Sequence, residues 1–419
     1  MPTLPVSIAT LLPWTWIGGS SSYNQQLPLT YPESRMSSAT WTDGSGNLWM
    51  FGGETVYAND INDLWEYNPS NNAWTLESSL PSQNQPGIYG TQNIPSPNNL
   101  PGARNDSVSW TDPAGNLWLF GGYGYASSTT HGELNDLWKF NLGTRQWTWV
   151  GGSNQINQSG SYSPSSPQTP GARLASVSWT DSTGNLWLFG GQGYAASGSQ
   201  GELNDLWKFN LGAQQWTWVK GSSSPNQLST TALPGARHDS VAWTDSMGNL
   251  WLFGGQGYAA SNTLGELNDL WKFTPSTQQW TLIRSGNFLN QAGSYGTPQT
   301  SSLTNLPGSR DSSVAWTDTS GNLWLFGGYG YDSTGALGEL NDLWKFNLGT
   351  QQWTWVNGSN LVSQLGSYGS QPGTRGMPGA RSSANAWFSS GIGASGSLWL
   401  FGGQEGSGNY LNDLWQYTP

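Results

Sequence analysis

Cysteine is absent from all 419 residues, which excludes disulfide scaffolds, thiolate metal sites and cysteine nucleophiles together. Charge is sparse: only 9% of residues are charged, and 14 Lys+Arg against 25 Asp+Glu leave a net −11. That balance argues against nucleic acid or an anionic membrane surface as a main partner. Histidine is nearly missing, with His131 and His238 alone. No apolar run approaches the roughly 18 residues that a membrane-spanning helix needs, so membrane insertion is not expected. Residues 4–12 (LPVSIATLL) are mildly apolar, but with no basic residue before them they do not read as a signal peptide. Helical periodicity is missing throughout. Glycine (57) and tryptophan (28) are abundant instead, and 13% aromatic residues supply ample core, far from the profile of a disordered chain.

The chain is one unit written six times, and such repetition decides the organisation. The block LWMFGG at 48–53 returns as LWLFGG at 117–122, 186–191, 250–255, 323–328 and 398–403. The first glycine of each pair falls at Gly52, Gly121, Gly190, Gly254, Gly327 and Gly402. Six units of about 70 residues fill the whole length, which leaves no sequence for a second domain. Each unit reads as four short strands. Strand a is typified by Ser107–Asp112 (SVSWTD), strand b by NLWLFGG, strand c by Leu134–Phe140 (LNDLWKF) and strand d by Gln146–Val150 (QWTWV). Aromatic residues alternate with Leu, Val or polar residues, which is the period-two signal of a sheet. The sequence stops just after a strand c (LNDLWQYTP), whereas residues 14–17 (WTWI) match a strand d. The N-terminal strand is therefore expected to complete the sixth blade, about 381–417 plus 14–17, and to close the ring without open edges.

A strand ending in two glycines, then an aromatic, six residues and a Trp, resembles the kelch repeat. The pairs are Tyr67 and Trp74, Phe140 and Trp147, Phe209 and Trp216, Phe273 and Trp280, and Phe346 and Trp353, with Tyr417 meeting Trp14 through the closure. The resemblance covers nearly the entire chain and implies an all-β, six-bladed β-propeller of four-stranded antiparallel blades, one domain over 1–419. It also implies that strand a is innermost. The units exceed the ~50 residues of a usual kelch repeat by roughly twenty.

Topology sends that excess to one face. The a–b and c–d turns are short, whereas b–c (Tyr123–Gly132) and d–a (Gly151–Pro170) are long, so one face is expected to be built up around the channel mouth. Each strand a begins at an arginine: Arg35, Arg104, Arg173, Arg237, Arg310 and Arg381. A guanidinium donates two parallel hydrogen bonds to a carboxylate, so these six are candidate ligand contacts. Strand c opens on the same face with Asp63, Asp136, Asp205, Asp269, Asp342 and Asp413, preceded in four units by Glu133, Glu202, Glu266 and Glu339. One internal pairing per blade is the cheaper account of so strict a repetition, because a charge near the axis is costly unless paired. No spacing among these acids matches a calcium loop, and neither metal nor cofactor is expected. Every Trp falls on a strand and reads as inter-blade packing. The loop tyrosines Tyr125, Tyr194, Tyr258 and Tyr331, just beyond the glycine pairs, are better candidates for stacking on a ligand.

A copper site like that of galactose oxidase fails for want of cysteine and recurring histidine, and no unique serine supports a Ser–His–acid triad. The kelch family also includes a sialic acid mutarotase with Glu and Arg at the channel mouth, so a sugar-processing enzyme is the alternative reading. Catalysis needs one asymmetric constellation, however, and near-equal units suit binding better. The expectation is a non-catalytic, monomeric propeller that recognises a protein or glycan partner on the long-loop face. By resemblance to bacterial surface kelch proteins it is extracellular, cell-surface or periplasmic. The outer units diverge most (Glu54, Asp60 and Glu405), which makes their junction the place to seek asymmetry.

Overall fold

The computed structural model describes residues 14–26, 29–78, 83–284, 288–390, 396–406 and 408–419; the segment 4–12 read above lies outside them. Among the described residues there is no helix, and six antiparallel blades make a β-propeller. The second blade is representative. Its strands a to d are Val108–Thr111, Leu117–Phe120, Leu137–Asn141 and Gln146–Gly151, hydrogen-bonded in that order. Strand a lines the axis, with each copy packed against the strands a on either side. The first described strand, Trp14–Gly18, pairs with Tyr410–Tyr417 in the register Trp14 to Tyr417 and Trp16 to Trp415. It thereby supplies strand d of the sixth blade and closes the ring as expected.

The core lies between blades. Val108, Trp110, Trp118 and Phe120 of the second blade pack against Leu186, Leu188, Trp207, Phe209 and Trp216 of the third. Each buried Trp removes about 150–250 Å² from water, roughly 4–6 kcal/mol of gross transfer free energy. The strand-a indole also bridges blades, since Trp110 Nε1 donates to the Trp187 carbonyl at 3.0 Å. This satisfies a donor that burial would otherwise leave unpaired.

The glycine pair is dictated by backbone contact. Gly121 has φ +65°, and a Cβ there would stand 2.8 Å from the Arg173 carbonyl oxygen of the next blade; the Gly122 N–H donates to that same oxygen at 2.9 Å. Past the pair, strand b continues as Tyr123–Tyr125, flanked by His131–Glu133 and by Arg104–Asn105 at the root of strand a. Four such small sheets, continued in the fifth and sixth blades by the long strands Leu323–Tyr331 with Leu337–Asn347 and Ser397–Gln404 with Tyr410–Tyr417, form a collar around one mouth of the channel. The PGAR motif locks into it: the Tyr125 N–H donates to the Ala103 carbonyl, and Gly102 admits the Tyr125 carbonyl where a Cβ would lie 1.9 Å away. The d–a segments leave from this face too, since Asn157 N–H donates to the Glu133 carbonyl. Some then fold outward over the rim, where Ser96 bridges Trp147, Ser302 bridges Trp353, and Thr374–Gly376 pairs with the closing strand. Part of the extra length therefore covers exposed outer strands, which are otherwise open to edge pairing.

Candidate ligand-binding face

Every ring arginine is held within its own blade. The guanidinium of Arg104 binds Asp136 through both terminal nitrogens at 2.7 Å, while Nε and Nη1 also donate to the Gly102 and Gly121 carbonyls. The same two-pronged geometry, at 2.6–2.9 Å, joins Arg35 to Asp63, Arg173 to Asp205, Arg237 to Asp269, Arg310 to Asp342 and Arg381 to Asp413. All six arginines are at most 1% exposed. Asp136 Oδ2 additionally accepts from the Trp138 indole and the Tyr89 hydroxyl. The arginines advanced as ligand contacts are thus saturated and sealed, for the reason that favoured internal pairing: a buried charge needs its partner and its hydrogen bonds. The glutamates three residues earlier do not share these pairs.

Two positions beyond each arginine lies a second ring that the sequence did not announce. Ser37, Asp106, Ala175, Asp239, Ser312 and Ser383 all take a left-handed backbone with φ between 50° and 54°. Each N–H donates to the carbonyl of its counterpart in the preceding blade at 2.9–3.0 Å, and Ser37 N–H to Ser383 closes the circle. Non-glycine residues adopt this conformation only where surrounding structure compels it. Here the six bonds encircle the axis and frame a cavity of about 200 Å³ lined by eight serines, two alanines, Asp106 and Asp239.

Above this ring the blades cease to be equal. The residue after each arginine is Met36, Asn105, Leu174, His238, Asp311 or Ser382, and in three blades (Asn105, His238 and Asp311) it meets the collar acid of the blade before. Asn105 Nδ2 donates to Asp60 at 2.7 Å, and His131 Nε2 lies 2.6 Å from the other Asp60 oxygen. His238 Nδ1 lies 2.7 Å from Glu202, and the Asp311 carboxyl reaches Glu266. Gln200 holds Glu133 Oε1, and Tyr410 donates to Glu54. The asymmetry expected at the junction of the first and last blades is therefore spread around the whole mouth.

Crowding sets the protonation of these acids. Burial pushes Glu133 up to about 7, with Glu202 adding to it against the Gln200 hydrogen bond. Burial and the Asp311 charge push Glu266 up to about 8. Burial raises Asp60 and Asp106 to about 6, with His131 opposing it at Asp60 and the Ser37 hydrogen bond opposing it at Asp106. Confinement also raises Asp239, which Asp106 and Asp311 reinforce and His238 opposes. Glu133 Oε2 is buried without a hydrogen-bond partner, whereas Glu266 and Asp311 share a carboxyl–carboxyl hydrogen bond.

The four loop tyrosines are half-buried on the collar, each locked through its backbone to a strand-a root. Tyr125 stacks on His131 at 4.8 Å. Burial raises the phenols of Tyr125, Tyr194 and Tyr331, and the collar acid of the preceding blade (Asp60, Glu133 and Glu266 respectively) raises each further. Tyrosines and acids thus converge on one mouth. Sequence reasoning missed Tyr89, Tyr162, Tyr295 and Tyr368, whose hydroxyls donate to the ring aspartates. Their recurring Gly-Ile-Tyr or Gly-Ser-Tyr context was a usable signal.

This architecture defines a six-bladed, kelch-like β-propeller with a saturated arginine ring beneath an acidic collar. No family model matches the chain. The solved structure of YjhT is similar over 92% of this chain and 95% of its own, with a TM-score of 0.55 and 14% identity, a likeness of fold alone.

Proposed function

We propose that the protein is a non-catalytic binding propeller that engages a protein or glycan partner on its collar face, with a glycan the better fit. The supporting observation is the variation of collar side chains over an otherwise repeated scaffold, which gives one face a composition of its own. Tyr, Gln, Asn and Ser surround the mouth, a set suited to adaptable polar contact. The contact is assigned to the tyrosines and mouth residues and not to the enclosed arginines. Glycan-array binding of the native chain and of a Tyr258→Ala, Tyr331→Ala variant tests this. Binding that the variant weakens supports the reading, and failure to retain any glycan removes its glycan form.

One observation favours a second reading, a sugar-processing enzyme. Glu133 and Glu266 hold protons near neutral pH, as a general acid does. An anionic sugar would nonetheless find no free arginine in the ring. Exchange NMR of sugar anomers with and without protein decides it: acceleration lost in Glu133→Gln establishes catalysis, and unchanged exchange excludes it for the sugars tried.

A further inference from the structure

The outer strands of the blades are not covered alike. In the second blade the incoming d–a segment straps strand d (Gln146–Gly151). Asn93 N–H donates to the Trp149 carbonyl at 2.8 Å, and Ser96 N–H and Asn99 Nδ2 both donate to the Trp147 carbonyl, at 3.4 and 3.1 Å. The fifth blade repeats this with Gln299 on Trp355 and with Ser302 and Asn305 on Trp353. Two straps of different sequence thus place a Ser-x-x-Asn run on the same carbonyl, and Thr148 and Thr354 of the covered strands are buried.

The third blade keeps both ends of this strap and lacks its middle. Tyr162 donates to Asp205 as Tyr89 does to Asp136, and Gly171 admits the Tyr194 carbonyl as Gly102 admits that of Tyr125. Yet Tyr162 to Gly171 is four residues shorter than Tyr89 to Gly102 or Tyr295 to Gly308, and it holds no Ser-x-x-Asn run. Strand d here (Gln215–Lys220) bonds to the strap through Trp218 N–H, which donates to Gln168 Oε1 at 3.1 Å. Among the described residues no strap donor reaches the Trp216 or Trp218 carbonyl, and Thr217 is exposed. A cavity of about 540 Å³ lies beside them, bordered by Gln92, Gln168, Gln214, Gln215, Trp216 and Thr217, with no charged side chain in its lining.

We propose that this cavity seats an extended, uncharged Ser-x-x-Asn segment of a partner protein, whose backbone N–H and Asn amide take the Trp216 carbonyl and complete the cover of strand d. An open outer strand is a template for a further backbone, and adding one to a sheet edge is a general mode of peptide recognition. The counterpart runs of this chain are already seated on their own blades, which leaves the segment to another protein. A charged segment fits less well, because the lining offers no counter-charge. A sugar fits less well too, since the open carbonyls lie two residues apart along a strand, a spacing that a second backbone matches. The site is on the rim and stands independently of the collar reading.

Amide NMR of the full chain, titrated with a blocked synthetic peptide spanning residues 91–100, tests this. The Thr217 and Trp218 amides should shift saturably, with a Kd at or below about 1 mM. Asn99→Ala in the peptide should weaken binding at least fivefold, and Thr217→Trp in the protein, at an exposed position, at least tenfold with unchanged Tm. Replacing residues 162–171 by the sequence of 89–102 should abolish binding and raise Tm, as cavity filling does. No binding to the native chain, or binding that survives the replacement, overturns the proposal. Maltotriose shifting the same amides equally at the same concentration overturns the peptide assignment. Self-association of the native chain that the replacement abolishes makes the occupant a second copy and overturns the assignment to a partner.

Discussion

His238 and Glu202, from neighbouring blades, meet at 2.7 Å between Nδ1 and Oε2 at the edge of the channel mouth. Burial alone would lower the imidazole pKa, but the Glu202 hydrogen bond and the charges of Asp239 and Glu202 outweigh it and push His238 up to about 9. Histidine NMR titration should therefore show one ring that stays protonated through neutral pH. Glu202→Gln should lower that midpoint by more than one unit, toward the usual histidine range. A midpoint near 6.5 in the native chain would show that the pair is not formed in solution.

The mouth acids make stability depend on pH in a definite direction. Asp60, Asp106, Glu133 and Glu266 bind protons more tightly folded than unfolded, with folded values of about 6, 6, 7 and 8. His238, also raised, has the same sign. A raised folded pKa stabilises fully below the unfolded value, and that contribution is lost as pH climbs through the folded value. The melting temperature should thus fall steadily from about pH 5 to pH 9. Glu133, pushed up chiefly by burial, contributes to the fall with this sign. Glu133→Gln should flatten the curve, and a profile that rises with pH would contradict the assignment.

Most of the fold was legible because its determinants are local and repeated six times. The glycine pair reports a close backbone approach, the alternating aromatics report sheet faces, and the WTWI segment at 14–17 matches the strands d of the other blades and pairs with Tyr410–Tyr417. The collar was much less legible. His238 and Glu202 are 36 positions apart, and His131 and Asp60 are 71 apart. Such pairs become neighbours only once one blade's strand-a root (His238) or collar strand (His131) is set beside the previous blade's collar. The left-handed ring was hidden for another reason: Ser, Asp and Ala occupy it, and none of these announces positive φ as glycine does. The arginines were conspicuous because they recur, yet recurrence here marks an internal pair.

That pair has a measurable value. Removing one member of a buried bidentate ion pair leaves the other charge uncompensated, a loss of about 3–5 kcal/mol. Arg237→Ala, which strands Asp269, should lower denaturant stability by that amount. Arg237→Lys should recover only part, since an ammonium cannot reproduce the planar fork. The double replacement Arg237→Met, Asp269→Leu should recover more than Lys does, because it leaves no buried charge. A native-like Arg237→Ala would mean that water reaches the site.

The closing strand should behave as the ring's latch. Trp14 is 0% exposed and contacts Phe326 and Tyr417 with ring centroids 5.3 and 5.2 Å apart, so it joins the fifth blade to the sixth. Trp14→Ala should cost about 3–5 kcal/mol, the range for emptying a large aromatic site. Deleting residues 1–18 should do more than destabilise. It strips Tyr410–Tyr417 of its outer neighbour, Trp14–Gly18, and exposes a long, largely apolar strand edge. Such an edge pairs with other chains, so light scattering of the truncated protein should show stronger concentration-dependent association than that of the intact chain. A peptide spanning residues 12–20, added in trans, should suppress that association by restoring strand d. A truncated chain with native stability and no self-association would show that the ring holds without its latch.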